Sequence, residues 1–100
     1  MIVVLAEVSM IPGRRIELVA AFDEAGRLLA AHGGFLAARL LHFAGGGYRY
    51  LYEMSFRDRT DWDEFFAGPG LRALRELIEP QLTVPFGVQV HAVISEYRAE

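Results

Sequence analysis

Three consecutive glycines, Gly45-Gly46-Gly47, separate two runs of strand-forming residues, FLAARLLHF from Phe35 and YRYLYEMSFR from Tyr48. A glycine run between two such segments favours a β-hairpin, because glycine enters the positive-φ conformations that tight turns need. With a symmetric loop over Ala44–Gly47, the predicted register pairs Phe43 with Tyr48, Leu41 with Tyr50, Arg39 with Tyr52, Ala37 with Met54 and Phe35 with Phe56. Side chains alternate along a strand, so these ten residues share one face. The opposite face carries Leu36, Ala38, Leu40 and His42 against Ser55, Glu53, Leu51 and Arg49. One face is then aromatic with a single guanidinium, and the other mixes aliphatic side chains with charge.

Upstream, Ile2–Ile11 is rich in β-branched residues and apolar on both sides, as a strand covered on two faces should be. Pro12-Gly13 ends it. From Arg14 to His32 the spacing turns helical, with Leu18, Phe22, Ala25 and Leu29 on one stripe and Asp23 set to pair with Arg27 on the exposed side. Gly33-Gly34 is the expected stop. After the hairpin, Thr60 reads as an N-cap. The helix it starts is broken at Gly68-Pro69-Gly70 and resumes over Leu71–Glu79, with Leu71, Leu74 and Ile78 inward and Arg72–Glu76 and Arg75–Glu79 pairs outward. Phe86–Tyr97 is the last predicted strand.

The order strand, helix, strand, strand, helix, strand, with right-handed crossovers, gives a ferredoxin-like α+β fold. A four-stranded antiparallel sheet has strands 1 and 3 central and both helices on one face. A length of 100 residues suits one domain, 1–100. The face without helices is expected to show Val3, Leu5, Leu36, Leu40, Leu51 and Val93, with 53% of the chain hydrophobic. Such a patch exceeds what a monomer usually leaves in water, so a second copy is the expected cover, giving a homodimer. Glu7, Arg49, Glu53 and His91 fall in or beside that seam and need partners.

Net charge is −3 with the basic residues scattered, which gives no footprint for nucleic acid or an anionic membrane. There is no cysteine, which excludes disulfides and thiolate chemistry. His32, His42 and His91 lie far apart and lack metal-ligand spacing, so no metal site is expected. Ile2–Ala6 lacks the basic flank of a signal peptide and meets Glu7 too early for a spanning helix, so the cytoplasm is the expected location.

A first strand ending at Pro12-Gly13 before an amphipathic helix, Gly34-Phe-Leu, Tyr52-Glu53 late in the third strand and the Gly68-Pro69 break together resemble the antibiotic biosynthesis monooxygenase family. The resemblance implies a dimeric α+β barrel with a ligand cavity between sheet and helices, on the face carrying Tyr50, Tyr52, Met54 and Phe56. The haem-degrading branch of that family uses an asparagine, a tryptophan and a histidine at positions nearest Ala6, Phe65 and Arg75, and none matches here. The cofactor-independent oxygenases of aromatic polyketides use an asparagine, a tryptophan and a tyrosine nearest Tyr52, Phe56 and Trp62. This chain departs from that set at all three.

Tyr52, Arg39 and Trp62 are the candidate catalytic residues, and Tyr50, Met54, Phe56, Phe65 and Phe66 the candidate substrate contacts. A phenol beside the Arg39 guanidinium is expected to ionise more readily if charge outweighs burial. The tyrosines can equally be core packing with satisfied hydroxyls, and Trp62, Phe65 and Phe66 the buried stripe of a helix. The expected activity is a cofactor-independent monooxygenase, needing no metal or organic cofactor and acting on a small hydrophobic, aromatic or polyketide-type compound. The alternatives are a cyclase-like enzyme of polyketide biosynthesis, or a dimeric barrel that holds a hydrophobic ligand without turnover.

Overall fold

The computed structural model describes residues 1–99. Its elements run β1 (Ile2–Ser9), α1 (Arg15–Ala30), β2 (Phe35–His42), β3 (Arg49–Phe56), α2 (Arg59–Ala67), α3 (Pro69–Ile78), a single 3-10 turn (Glu79–Gln81) and β4 (Gln89–Ala92). The strands form one antiparallel sheet in the order β2-β3-β1-β4, the ferredoxin-like α+β arrangement expected, with β1 and β3 central. Leu18, Phe22, Ala25 and Leu29 of α1 are all buried, as their spacing predicts. They pack with Val4, Ala6 and Val8 of β1, Met54 and Phe56 of β3, and Trp62, Leu74 and Ile78 of the later helices into one core. Each large apolar side chain buried this way contributes about 1.5–3 kcal/mol.

Helix α2 starts two residues earlier than the Thr60 cap predicts. Asp58 is the N-cap, its extended backbone letting the carboxylate accept from the backbone N–H of Asp61 at 3.0 Å. Gly68 then turns extended and Pro69 opens α3. A proline favours that first helical position because its missing N–H would be unpaired there anyway. Of the outward pairs expected on α3, Arg75–Glu79 forms at 2.9 Å, whereas Arg27 of α1 turns to Glu24 at 2.8 Å rather than to Asp23.

The hairpin is real but its register differs by one residue from the symmetric prediction. His42 lies opposite Tyr50, Leu40 opposite Tyr52, Arg39 opposite Glu53 and Ala38 opposite Met54, while Phe35 keeps Phe56. The loop is longer by one residue and lopsided. Gly46 and Gly47 both take positive φ (79° and 78°), and the Tyr48 carbonyl is drawn away to accept from Met10 N–H at 2.7 Å. A bulge between Phe35 and Ala37 restores the parity at the far end. Arg39 and Leu41 therefore leave the tyrosine face, and Leu40 and His42 join it.

The face without helices carries Val3, Leu5 and Leu51, as expected, but Leu41 in place of Leu40, and Leu36 sits exposed at the bulge. Its charges are already paired across strands. Arg39 bonds Glu53 at 3.0 Å and Arg49 bonds Glu7. Strand β4 is far shorter than Phe86–Tyr97. Phe86 turns into the core, its carbonyl accepting from Arg75 at 2.6 Å, and past Ala92 the ladder runs out at Met1, whose carbonyl accepts from Val93 N–H at 3.0 Å. Ile94 and Tyr97 beyond it are 96% and 94% exposed. Among the described residues no helix is long and apolar enough to cross a membrane.

Candidate functional site

Burial decides first which of the sequence-predicted residues can meet a ligand. Met54 and Phe56 have no exposed surface, and Tyr50 and Phe65 almost none. Tyr50 is stacked on His42 with ring centres 4.3 Å apart, and Phe56 meets Trp62 and Phe65 at 5.4 and 5.9 Å. Tyr50, Met54 and Phe56 are the packed floor of the fold rather than the lining of an open chamber, whereas Phe65 shows an edge to a cleft beside the break between α2 and α3. Most of the tyrosine face is thus filled.

Tyr52 is different. Its ring packs on Phe22 of α1 with centres 4.3 Å apart, and the residue also lines a cleft of about 260 Å³ between α1 and the edge strand β2. Val19, Phe22, Asp23 and Gly26 form the α1 wall, and Ala38 and Leu40 the β2 wall. Gly26 leaves the cleft open, since a Cβ there would meet nothing within 4 Å. The volume lies just below the usual range for ligand sites, about 300 to 1,000 Å³, so the cleft has room only for a small molecule or for one edge of a larger one.

Burial pushes the Tyr52 phenol up to about 12, and the neighbouring Asp23 carboxylate adds to the rise. At neutral pH the hydroxyl is therefore a protonated donor rather than a base. The shift runs opposite to that expected beside a guanidinium. Arg39 borders the cleft mouth, but its Nε is bonded to Glu53 on the other face of the sheet, so no cation offsets the burial. Asp23 has no ion-pair partner among the described residues, because Arg27 is held by Glu24. A protonated donor and an accessible acceptor thus line one cleft of mixed polarity. Such a pair can hold a hydroxylated ring by its oxygen atoms and move a proton at its edge.

Trp62 and Phe66 lie elsewhere, on a groove of about 430 Å³ with Arg75, Val88 and Val90. The structure therefore divides the predicted residues among three openings, Tyr52 and Arg39 at one, Trp62 and Phe66 at another and Phe65 at the cleft beside the helix break. Both cations at the Trp62 groove are engaged: Arg59 bonds Asp63 at 2.9 Å, and Arg75 bonds Glu79 and the Phe86 carbonyl and lies over the Phe86 ring at 4.5 Å. Among the described residues no cluster of three or more histidine, aspartate or glutamate side chains could hold a metal ion. His42 bonds the Gly47 carbonyl, and His91 lies opposite Val3 on the face without helices.

Sequence reasoning missed Asp23 and Gly26. The i,i+4 spacing sets Asp23 against Arg27, but Glu24 stands three residues from that arginine and takes it. The signal for Gly26 was a glycine inside an otherwise strong helix, which costs about 1 kcal/mol against alanine and so asks for a reason.

Residues 1–77 match the model of the family described as Antibiotic biosynthesis monooxygenase. No curated protein matches the chain. Among solved structures, Rv0793 from Mycobacterium tuberculosis is 27% identical, with a TM-score of 0.77 over 97% of this chain and 98% of that one. SnoaB, a cofactor-independent oxygenase from Streptomyces nogalater, is 16% identical with a TM-score of 0.77 over 95% of each chain. A conserved protein from Methanosarcina mazei, 11% identical, has a TM-score of 0.77 over 90% of this chain and 89% of that one. The last two likenesses are of fold.

Proposed function

Because the chain belongs to the antibiotic biosynthesis monooxygenase family, we propose that it is a cofactor-independent monooxygenase of a flat, hydroxylated aromatic or polyketide-type compound. The α1–β2 cleft is the proposed site. Asp23 takes a proton from the substrate, and the Tyr52 hydroxyl donates to the oxygen of the resulting enolate. The enolate is the electron donor to dioxygen. Its activated carbon forms a C–O bond to give a hydroperoxide, whose O–O bond breaks with loss of the remaining C–H proton. One methylene and one dioxygen become one carbonyl and one water, so the four electrons lost by carbon equal the four gained by oxygen. The observation that carries this reading is Tyr52 and Asp23 lining one cleft, with burial and the nearby carboxylate keeping the phenol protonated at neutral pH. Arg39 is assigned to the mouth, and Trp62, with Phe56 and Phe65, to the packed wall that keeps the sheet rigid.

In this reading the working unit is a homodimer joined through the face bearing Val3, Leu5, Leu41 and Leu51. There Arg39–Glu53 and Arg49–Glu7 are already neutralised, so covering them leaves no unpaired charge. The test of the activity is oxygen uptake by chelator-treated protein with an anthrone-type substrate. Uptake that falls at least tenfold in Tyr52→Phe and in Asp23→Asn supports the proposal, and uptake no faster than buffer sinks it. A second reading, a ligand-binding barrel without turnover, is favoured by the complete burial of Met54 and Phe56. It predicts that such compounds bind and are recovered unchanged in air.

A further inference from the structure

His32 follows the last turn of α1, and its Nε2 lies 3.1 Å from the backbone oxygen of Asp61. A carbonyl oxygen only accepts, so Nε2 carries the proton and donates it. In that tautomer the lone pair sits on Nδ1, which has no hydrogen-bond partner among the described residues. The ring is held edge-on against Phe65 at 5.4 Å and Phe56 at 6.3 Å, which limits its rotation.

His32 also lines a cleft of about 240 Å³, with Leu28 of α1, Glu64 and Phe65 of α2, and Pro69 and Gly70 of the helix break. Two glycines shape it. A Cβ on Gly70 would come within 2.6 Å of the Phe65 ring, and one on Gly68 within 3.0 Å of the Glu64 carbonyl. The lining is largely apolar, and its two residues with polar side chains, His32 and Glu64, each offer an acceptor, Nδ1 and the carboxylate. A free carboxylate opposes an anionic occupant. A cation is opposed in turn by the positive end of α3, which starts here without a side-chain cap. What remains is a neutral molecule with two donors on an apolar body.

We propose that this cleft is a second small-molecule site, separate from the α1–β2 cleft, that binds a neutral dihydroxybenzene. One hydroxyl donates to Nδ1 of His32 and the other to Glu64, while the ring rests on Leu28, Phe65 and Pro69.

The test is an NMR titration of ¹⁵N-labelled protein with resorcinol and, separately, catechol, using 1,3-dimethoxybenzene as the ring without donors. Either diol should shift the amide signals of Gly68 and Gly70 and the Nδ1 signal of His32. Its affinity should fall about fivefold or more in Glu64→Ala, a change at an exposed residue, and likewise in His32→Phe, since each removes one hydrogen bond. The dimethoxy compound should leave these signals in place. Gly26 and Ala38 report the α1–β2 cleft independently. Shifts confined to those two, an equal response to the dimethoxy compound, or no shift at all overturns the second site and leaves the proposed oxygenase reading untouched.

Discussion

Replacing Asp23 by asparagine isolates one of the two causes that hold the Tyr52 phenol protonated. In the intact protein the group is raised from an ordinary 10 to about 12, with burial the larger cause and the Asp23 carboxylate the smaller. The smaller of two causes accounts for less than half of that rise, so in Asp23→Asn the midpoint should fall by under about one pH unit and stay above about 11. The assay is a pH titration of the ¹³Cζ resonance of labelled tyrosine, with the Tyr52 signal assigned by its loss in Tyr52→Phe. The sign of the linked stability follows. The folded state holds this proton more tightly than the unfolded chain, so the group's stabilisation is complete below pH 10 and is lost as pH rises through about 12. Urea midpoints measured at pH 9 and pH 11 should therefore converge toward each other in Tyr52→Phe. A Tyr52 midpoint at or below 10 in the intact protein would refute the placement of this phenol, and a midpoint unmoved by Asp23→Asn would refute the pairing.

Three further outcomes follow from the packing. In Gly34→Ala, a residue with φ of +85° gains a Cβ only 2.1 Å from Asp61 Cγ, so the protein should lose about 2–4 kcal/mol and roughly 10 °C or more in Tm by calorimetry. Arg57→Ala removes two 3.1 Å bonds from the Asp61 carboxylate, whose side chain is 9% exposed; chemical denaturation should show a loss of about 1–3 kcal/mol. Leu5→Glu puts a carboxylate in the middle of the proposed dimer face. Sedimentation should find twice 11.2 kDa for the parent and 11.2 kDa for the variant, and a monomeric parent at micromolar concentration contradicts the dimer.

Much of the architecture is legible in the residues, because period-2 and period-3.6 apolar patterns are strong local signals. The stripe Leu18, Phe22, Ala25 and Leu29 and the alternation of Val4, Ala6 and Val8 are both buried as read. Register is not local. It depends on how Gly46 and Gly47 bend and on Met10 of another strand taking the Tyr48 carbonyl, and neither is visible within the hairpin itself. That single residue of slip moved Arg39 from Tyr52 to Glu53 and reversed the direction expected for the phenol. The end of the last strand failed for a related reason. Val88, Val90, Ala92 and Ile94 alternate well, but a strand extends only where a neighbour offers backbone groups, and β1 ends at Ile2. The site was half legible. Tyr52 could be singled out as a polar group on an aromatic face, whereas Asp23 needed knowledge of which carboxylate Arg27 would choose.

If ligand sits in the α1–β2 cleft, a side chain that fills the cleft must exclude it. Gly26 faces open space there, so Gly26→Leu should fold, with a Tm equal to or above the parent because leucine is the better helix former. Calorimetric titration with a hydroxylated anthraquinone should then show affinity reduced at least tenfold in this variant. Undiminished binding in a variant that keeps its Tm would place the ligand elsewhere and contradict the account.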